Sequence, residues 1–214
     1  MSAAQPLKIL LADDHAIVRR GVRYLLGEAY PEAVFGEAAT AEQTLEAVWK
    51  EPWNLVLLDI SMPGRSGLEV IHDLKSARSE MRVLVLTFHS EEHFALRVLK
   101  AGASGYINKN TMPDELTRAV DKVLSGGRYL SGELAERLAG VLSGADQAPH
   151  ERLSDREFQV MRLVARGLAL KEIAAQLSLS INTVSTYRLR VLEKMHVRTN
   201  AALVEYAIQH GLND

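Results

Sequence analysis

Cysteine is absent from the 214 residues of this chain. Its absence excludes disulfide bonds and cysteine-ligated zinc sites, and it suits a reducing compartment. Long apolar runs are missing too, since none approaches the roughly 20 residues that a membrane-spanning helix requires. The start, MSAAQPLKIL, lacks the charged and apolar regions of a signal peptide. We therefore expect a soluble, cytoplasmic protein with no membrane partner.

The chain also lacks a large net charge, because its formal net charge is -2. A balanced chain has no general electrostatic attraction to nucleic acid. The balance hides a difference between the two ends. Residues 1–149 carry 16 Lys and Arg against 20 Asp and Glu, whereas residues 150–214 carry 9 against 7. The C-terminal segment is therefore the more basic part of the chain.

The first 125 residues alternate short apolar runs with amphipathic stretches. The apolar runs predict strands at 8–13, 33–38, 55–59, 82–87 and 105–108. The amphipathic stretches predict helices at 16–26, 41–50, 68–77, 92–101 and 113–124. Continuous apolar strands that alternate with helices indicate a parallel sheet covered on both faces. We predict a doubly wound α/β fold, in which ligands bind at the carboxyl ends of the strands.

The pattern changes after residue 125. Residues 126–150 are rich in Gly and Ala, and a short helix is predicted there at Glu133–Leu142. Ser154 and Glu157 then have the spacing of a capping box, which predicts the start of a helix. Three further short helices are predicted at 171–177, 181–195 and 200–209. We predict three regions: an α/β domain at 1–128, a linker at 129–149 and an all-α four-helix domain at 150–214.

One apolar strand, within NLVLLDISMPG, ends on a carboxylate, Asp59. Asp13 and Asp14 end the first strand in the same way, and strands one and three can be neighbours in a parallel sheet. Three carboxylates at one edge repel each other unless a cation lies between them. Mg²⁺ suits this place because it prefers oxygen ligands and bridges carboxylate to phosphate. Thr87 ends the fourth strand and Lys109 follows the fifth, so the edge could hold Mg²⁺ and a phosphoryl group together.

Each of these residues has a simpler explanation when it is taken alone. An Asp at a strand end is commonly the N-cap of the next helix, and Asp14 before HAIVRR could be only that. A single Thr or Lys at a strand end is ordinary. The combination of suitable residue types on four strands favours the binding site.

Residues 7–125 resemble the receiver domain of bacterial two-component response regulators. The matching residues are Asp13-Asp14, Asp59 with Met62-Pro63-Gly64 behind it, Thr87, and Asn108-Lys109. The resemblance implies a flavodoxin-like five-stranded parallel sheet in which a sensor histidine kinase phosphorylates Asp59. The implied Mg²⁺ ligands are Asp13, Asp14, Asp59 and the backbone carbonyl of Ser61. Lys109 and Thr87 would contact the phosphoryl oxygens, and Thr87 and Tyr106 would be the switch residues.

Phe88 departs from the pattern of the family, which usually has a small residue directly after the Thr. A ring at this position could narrow the entrance to the phosphorylation site. We expect phosphoryl transfer or loss to be slower than in a regulator with Ala there.

Ser178-Leu179-Ser180 separates two short helices, as in a helix-turn-helix. Residues 153–212 resemble the LuxR-type helix-turn-helix through LSDRE, KEIA at 171–174, Thr183-Val184 and the sequence LEKM at 192–195. Together with the receiver this resembles a NarL/FixJ-type response regulator. Helix 181–195 would then be the recognition helix. The implied contacts are Ser185, Thr186 and Leu189 with bases, and Lys171, Thr183, Arg188 and Arg190 with phosphates.

The recognition helix also departs from its family, which often has Lys where this chain has Ser185 and Leu189. The Arg or Lys contact with guanine is therefore missing from both positions. Leu189 suits apolar contact with a thymine methyl group instead. We predict a DNA site that is read partly through A·T methyl contacts.

The sequence as a whole predicts a transcription factor rather than an enzyme. Phosphorylation of Asp59 would control homodimer formation and binding to double-stranded promoter DNA. Leu203, Tyr206 and Ala207 suit either a dimer contact or core packing. Three alternatives stay open: a regulator with the same architecture that ignores phosphate, a ligand-sensing regulator, and an aspartyl-nucleophile phosphatase. The phosphatase typically has a second Asp where this chain has Ser61.

Overall fold

The computed structural model describes residues 6–62, 65–88, 91–132 and 148–212. Pro63-Gly64 and the predicted helix Glu133–Leu142 lie outside these residues. The chain forms two compact units, Met1–Glu136 and Arg137–Asp214.

The first unit contains a sheet of five strands, all parallel to their neighbours. The strands are β1 (Lys8–Ala12), β2 (Val34–Ala38), β3 (Leu55–Asp59), β4 (Arg82–Thr87) and β5 (Gly105–Asn108). Their order in the sheet is β2-β1-β3-β4-β5. In the register Ala12 pairs with Leu58, and Thr87 pairs with Asn108. The carboxyl ends of β1, β3, β4 and β5 therefore lie side by side, as the sequence predicted.

Five helices cover the two faces of this sheet. They are α1 (Ala16–Ala29), α2 (Ala41–Lys50), α3 (Gly67–Ala77), α4 (Glu91–Lys100) and α5 (Met112–Leu124). Helix α1 contacts α5, while α3 contacts both α2 and α4. This arrangement confirms the predicted doubly wound, flavodoxin-like α/β fold.

The alternation of side chains along the strands explains why both faces are covered. Strand side chains point alternately to the two sides, and both sets are apolar here. One set packs against α1 and α5, in a core formed by Ile9, Leu11, Val22, Leu26, Leu55, Leu57, Leu84, Leu86, Ile107, Leu116, Ala119, Val120 and Val123. Leu10, Val56 and Val85 alternate with members of this set and are also buried. A sheet buried on both faces needs strands that are continuously apolar.

The segment after α5 returns to the edge of the sheet. Tyr129 forms an isolated parallel bridge with Gly105 of β5. The Tyr129 carbonyl accepts the Tyr106 N–H at 3.2 Å, and the Tyr129 N–H donates to the Ser104 carbonyl at 3.0 Å. A Cβ at Gly105 would lie 2.8 Å from the Tyr129 carbonyl oxygen. The absence of a side chain at Gly105 allows this close approach.

The second unit is helical. A 3-10 turn at Pro149–Arg152 precedes α6 (Asp155–Ala165), α7 (Leu170–Leu177), α8 (Ile181–Lys194) and α9 (Asn200–Gln209). Helix α6 contacts α7, α8 and α9, and it buries Phe158, Met161 and Val164. Within the described part of the chain, no helix is both long and apolar enough to cross a bilayer.

Candidate functional site

The acidic edge of the sheet is organised around Lys109. Its ammonium nitrogen lies 2.6 Å from Asp13 Oδ2 and 2.6 Å from Asp59 Oδ2. All three residues are buried, with exposed fractions of 6% for Lys109, 5% for Asp13 and 2% for Asp59. Asp13 directly follows β1, and Asp59 is the last residue of β3. The adjacent strands thus bring two carboxylates to one ammonium group.

The two oxygens of Asp59 have different partners. Oδ2 accepts a hydrogen bond from Lys109, and Oδ1 accepts one from the Ser61 N–H at 2.8 Å. Burial raises the pKa of Asp59, because the charged form loses its hydration. Lys109 and the Ser61 N–H oppose this shift without cancelling it. Asp59 is thus a buried carboxyl group whose two oxygens are held in defined positions.

One carboxylate oxygen of Asp13 accepts no hydrogen bond from any residue that the structure describes. Its Oδ1 accepts the His15 N–H at 2.8 Å. Its Oδ2 is buried and has no hydrogen-bond partner in the described part of the chain. The 2.6 Å contact of Oδ2 with Lys109 is therefore an ion pair that lacks hydrogen-bond geometry. A second cation could use this oxygen.

The donor set fits a divalent cation. One potential ligand atom from each of Asp13, Asp14, His15 and Asp59 lies within 4.8 Å of the others. Asp14 and His15 are exposed, whereas Asp13 and Asp59 are buried. Carboxylate oxygens are the ligands that Mg²⁺ prefers. The role predicted for the Ser61 carbonyl stays a prediction, because the described contact of Ser61 with Asp59 is made by its N–H.

Hydroxyl groups lie on the β4 side of the edge. Thr87 is fully buried, and its Oγ1 lies 3.3 Å from Ser61 Oγ. The Thr87 carbonyl also accepts the Lys109 N–H at 2.8 Å, which fixes the start of the lysine side chain. Tyr106, the other predicted switch residue, is fully buried on β5 beside Val85.

Three features of the site were not found in the sequence. The His15 Nδ1 lies 2.9 Å from Asp14 Oδ1. The Ser61 hydroxyl faces Thr87. The Phe88 ring, which is 58% exposed, has its centroid 5.1 Å from the Lys109 ammonium. The adjacency of His15 to Asp13-Asp14 gave a usable signal for the first contact, and the position of Phe88 after Thr87 predicted a ring at the site. The contacts of Phe88 with Lys109 and of Ser61 with Thr87 join residues from different strand ends, and no spacing predicted them.

The second candidate surface is helix α8. The Ser180 side chain caps its start by accepting the Thr183 N–H at 3.0 Å. Ser178 ends α7 with a left-handed backbone, φ 54° and ψ 42°, which turns the chain between the two helices. Val184, Val191 and Leu192 are the buried residues of this helix. Thr186, Leu189 and Arg190 are exposed on the opposite face of α8.

The predicted DNA contacts differ in their surroundings. Exposed side chains among them are Lys171, Thr186, Leu189 and Arg190, and half-buried ones are Thr183, Ser185 and Arg188. Arg188 Nε donates to Asn200 Oδ1 at 2.6 Å. The Thr186 hydroxyl donates to the Asn182 carbonyl at 2.9 Å. DNA binding through Arg188 or Thr186 would therefore have to compete with these internal bonds.

Helix α9 resolves one of the alternatives left open by the sequence. Leu203 and Ala207 are fully buried within the helical unit, and α9 contacts α6. These two side chains belong to the core. Tyr206 is half-buried, and its hydroxyl lies 2.9 Å from Nδ1 of the buried His150.

Comparison with known families gives two matches that together cover most of the chain. Residues 9–121 match the response regulator receiver domain. Residues 151–207 match the luxR family of bacterial regulatory proteins.

Known proteins and structures resemble the chain over both units. Response regulator UvrY of Escherichia coli strain K12 is 35% identical over 208 residues, which are 96% of this chain and 95% of UvrY. Response regulator GacA of Pseudomonas aeruginosa is 34% identical over 97% of this chain and 98% of GacA. A structure of RcsB of Salmonella typhimurium, described as showing conformational dynamism for DNA interaction, is similar to this chain with a TM-score of 0.74 and 28% sequence identity. The similarity covers 96% of this chain and 98% of the RcsB chain. RcsB of Salmonella enterica serovar Typhimurium bound to promoter P1flhDC with phosphomimetic BeF3- has a TM-score of 0.70 and 28% identity, covering 94% and 98%.

Proposed function

This chain belongs to the response regulators that join a receiver domain to a luxR-family DNA-binding domain, and from that premise we propose that phosphorylation of Asp59 controls DNA binding by α8. The observation that carries the proposal is the buried Asp59 carboxyl group. It lies at the end of β3, and Lys109 and Ser61 hold its two oxygens. A sensor histidine kinase is the donor that the receiver family implies.

The proposed chemistry is nucleophilic attack by a carboxylate. An Asp59 oxygen attacks the phosphorus of a phosphohistidine on the kinase. The new P–O bond forms as the P–N bond breaks, and the histidine nitrogen keeps the electron pair of that bond. The product is an acyl phosphate on Asp59. Lys109 stands next to the new group and offers its positive charge to the phosphoryl oxygens.

The remaining residues of the acidic edge have distinct roles in this proposal. Asp13, Asp14, Asp59 and the Ser61 carbonyl would hold Mg²⁺, which when bound neutralises charge on the transferred group. The Thr87 hydroxyl would donate to a phosphoryl oxygen. Tyr106 would respond to the shift of Thr87 and so alter the surface around β4 and β5.

The helical unit would then act on DNA as part of a homodimer. Two copies of α8 would enter successive major grooves at half-sites. Leu189, with 59% of its surface exposed, would contact a thymine methyl group. Arg190 and Lys171, both exposed, would contact phosphates. The RcsB structure with promoter DNA and a phosphomimetic supports the link between the two events.

The coupling can be tested with DNA affinity at fixed salt. A duplex is first selected from a random pool with acetyl-phosphate-treated wild type. Its affinity is then measured by fluorescence anisotropy for untreated and treated wild type, and for Asp59→Asn. We expect treatment to tighten binding by about 5- to 150-fold in the wild type, the usual range for coupled sites, and to leave Asp59→Asn unchanged. Equal affinity for treated and untreated wild type would instead support a regulator that ignores phosphate.

A further inference from the structure

His15 directly follows Asp13 and Asp14, and its side chain offers a ring nitrogen where an all-oxygen Mg²⁺ site would have an oxygen ligand. We infer that His15 is a ligand of the bound cation, and that it gives the site a preference for divalent transition ions over Mg²⁺. This inference rests on the proposed cation site at Asp13, Asp14 and Asp59.

The first support is distance. His15 Nδ1 lies 2.9 Å from Asp14 Oδ1 and 3.3 Å from Asp13 Oδ1. Together with Asp59, the potential ligand atoms span at most 4.8 Å. Two ligands on opposite sides of an ion at about 2.1 Å are about 4.2 Å apart. Shifts of a few tenths of an ångström would therefore bring all four groups to about 2.1 Å from one ion.

The second support is the way the backbone holds His15. Its N–H donates to Asp13 Oδ1 at 2.8 Å, so Asp13 and His15 are fixed relative to each other. His15 is also the N-cap residue of α1 and has an extended backbone, φ -87° and ψ 104°. Its side chain is 57% exposed. The ring can thus turn at the mouth of the site without disturbing the core.

The third support is the net negative charge of the buried carboxylates beside His15. Asp13 Oδ2 is buried and has no hydrogen-bond partner in the described part of the chain, and Lys109 alone faces both Asp13 and Asp59. Two buried carboxylates with one ammonium leave negative charge for a further cation. An ion at Asp13 and Asp14 would lie where the imidazole already contacts both carboxylates.

The imidazole nitrogen determines for which ions the affinity of the site increases. Mg²⁺ is a hard ion that takes oxygen ligands and keeps several waters. An imidazole nitrogen binds first-row transition ions more strongly, in the order Mn²⁺, Co²⁺ and then later metals. His15 should therefore add little to the affinity for Mg²⁺ and more to that for Mn²⁺ and Co²⁺.

The test compares the full chain with His15→Ala, and with His72→Ala as a matched control. His72 is an exposed histidine on α3 outside the cluster. Titration calorimetry gives the dissociation constants for Mg²⁺, Mn²⁺ and Co²⁺. We expect His15→Ala to weaken the binding of Co²⁺ and Mn²⁺ about tenfold, as for other changes around metal sites. It should change the dissociation constant for Mg²⁺ by less than about twofold. His72→Ala should match the wild type.

A spectroscopic measurement separates a ligand from a nearby hydrogen-bonding group. Electron spin echo modulation of bound Mn²⁺ should show nitrogen coupling in the wild type and His72→Ala, and no such coupling in His15→Ala. If Mn²⁺ binds without nitrogen coupling, or if His15→Ala keeps the same metal preference, the inference is wrong while the Mg²⁺ site stands. If no variant binds any of the three ions, the proposed cation site fails together with the inference.

Discussion

At the residue scale, the charge balance of the acidic edge depends on Lys109. It contacts both Asp13 and Asp59 at 2.6 Å within a buried site. Removing one partner of a buried ion pair leaves charge without compensation, which costs about 3–5 kcal/mol. We therefore predict that Lys109→Met destabilises the first unit by about this amount, and that Mg²⁺ restores part of the loss.

The receiver-like unit offers a direct readout for this prediction. Both tryptophans of the chain, Trp49 and Trp53, lie in that unit, so denaturant unfolding followed by tryptophan fluorescence reports on it. Lys50→Met is the control, because Lys50 contacts only the exposed Glu46 among its described salt bridges. Equal unfolding midpoints for Lys109→Met and the control would contradict the role given to Lys109.

Phe88 provides a second prediction at this scale. Its ring lies 5.1 Å from the Lys109 ammonium and is 58% exposed, so it contacts the lysine from the solvent side. A cation–π contact at an exposed position contributes about 0.5–1 kcal/mol. We predict that Phe88→Ala makes phosphoryl transfer from acetyl phosphate, or its later loss, about two- to fivefold faster.

The measurement for Phe88 is the lifetime and the rate of formation of the phosphorylated protein. Trp49→Ala serves as the control, since Trp49 is an exposed aromatic residue on α2. Unchanged rates in Phe88→Ala would show that the ring has no influence on the site.

Some contacts of the site can be predicted from the sequence, and others cannot. The sequence alone predicts that Asp13, Asp59 and Lys109 lie close together, because each lies at a strand end and parallel strand ends share an edge. The Phe88 contact with Lys109 depends on side-chain directions that no spacing encodes. Arg188 was predicted to bind phosphate, yet its bond to Asn200 of α9 depends on how two helices pack.

At the scale of elements, periodicity placed the helices well but located their ends less well. Helix α1 was predicted to end at Leu26 and ends at Ala29. The Tyr30 hydroxyl, just beyond it, donates to Asp121 of α5 at 2.6 Å, a tertiary contact that local pattern does not contain. Helix α7 lacks a capping side chain at Ala169, but the Ala169 N–H still donates to Glu172 Oε2 at 2.7 Å.

The start of α7 gives a prediction about stability. Ala169 has the extended backbone of an N-cap residue, φ -71° and ψ 151°, and Ser would fit there without strain. We predict that Ala169→Ser stabilises the helical unit by about 1 kcal/mol, because its hydroxyl can accept an N–H at the helix start. Thermal unfolding by circular dichroism measures the change. Ala169→Val should give no gain, and a gain equal to that of Ser would exclude capping as the cause.

The junction of α6 and α8 gives a prediction about pH. Burial of Glu157 acts to raise its pKa, but bonds from Lys194 and Ser154 outweigh it, so the pKa is lowered from its usual 4.5. A lowered folded-state pKa contributes stability above the unfolded value and loses it as the pH falls through the folded value. We predict that the wild type is more stable than Glu157→Gln near neutral pH. This difference in the free energy of unfolding should shrink below about pH 4.5.

Urea unfolding at a series of pH values, followed by circular dichroism, measures this difference. Glu205→Gln, at an exposed position on α9, is the control and should show no such dependence. A difference that stays constant from neutral to acid pH would mean that the Glu157 carboxylate does not stabilise the fold.

At the scale of the whole molecule, two units of different construction contribute two halves of one function. The first unit offers a buried carboxyl group beside a candidate cation site, and the second offers an exposed helix face suited to a DNA groove. The fold class of both units followed from apolar pattern, because a continuous strand run and a helical stripe differ in period. Contacts such as those of Phe88 with Lys109 and of Arg188 with Asn200 needed the structure.

The proposed function depends on the transfer of a phosphoryl group to Asp59 with the help of a divalent cation. The most direct test treats the full chain with isotopically labelled acetyl phosphate, with Mg²⁺ and with chelator, and locates the label by peptide mass analysis. We predict one label, on the peptide containing Asp59, that requires Mg²⁺ and is absent from Asp59→Asn. Equal labelling of Asp59→Asn, or no labelling of the wild type with Mg²⁺ present, would contradict it.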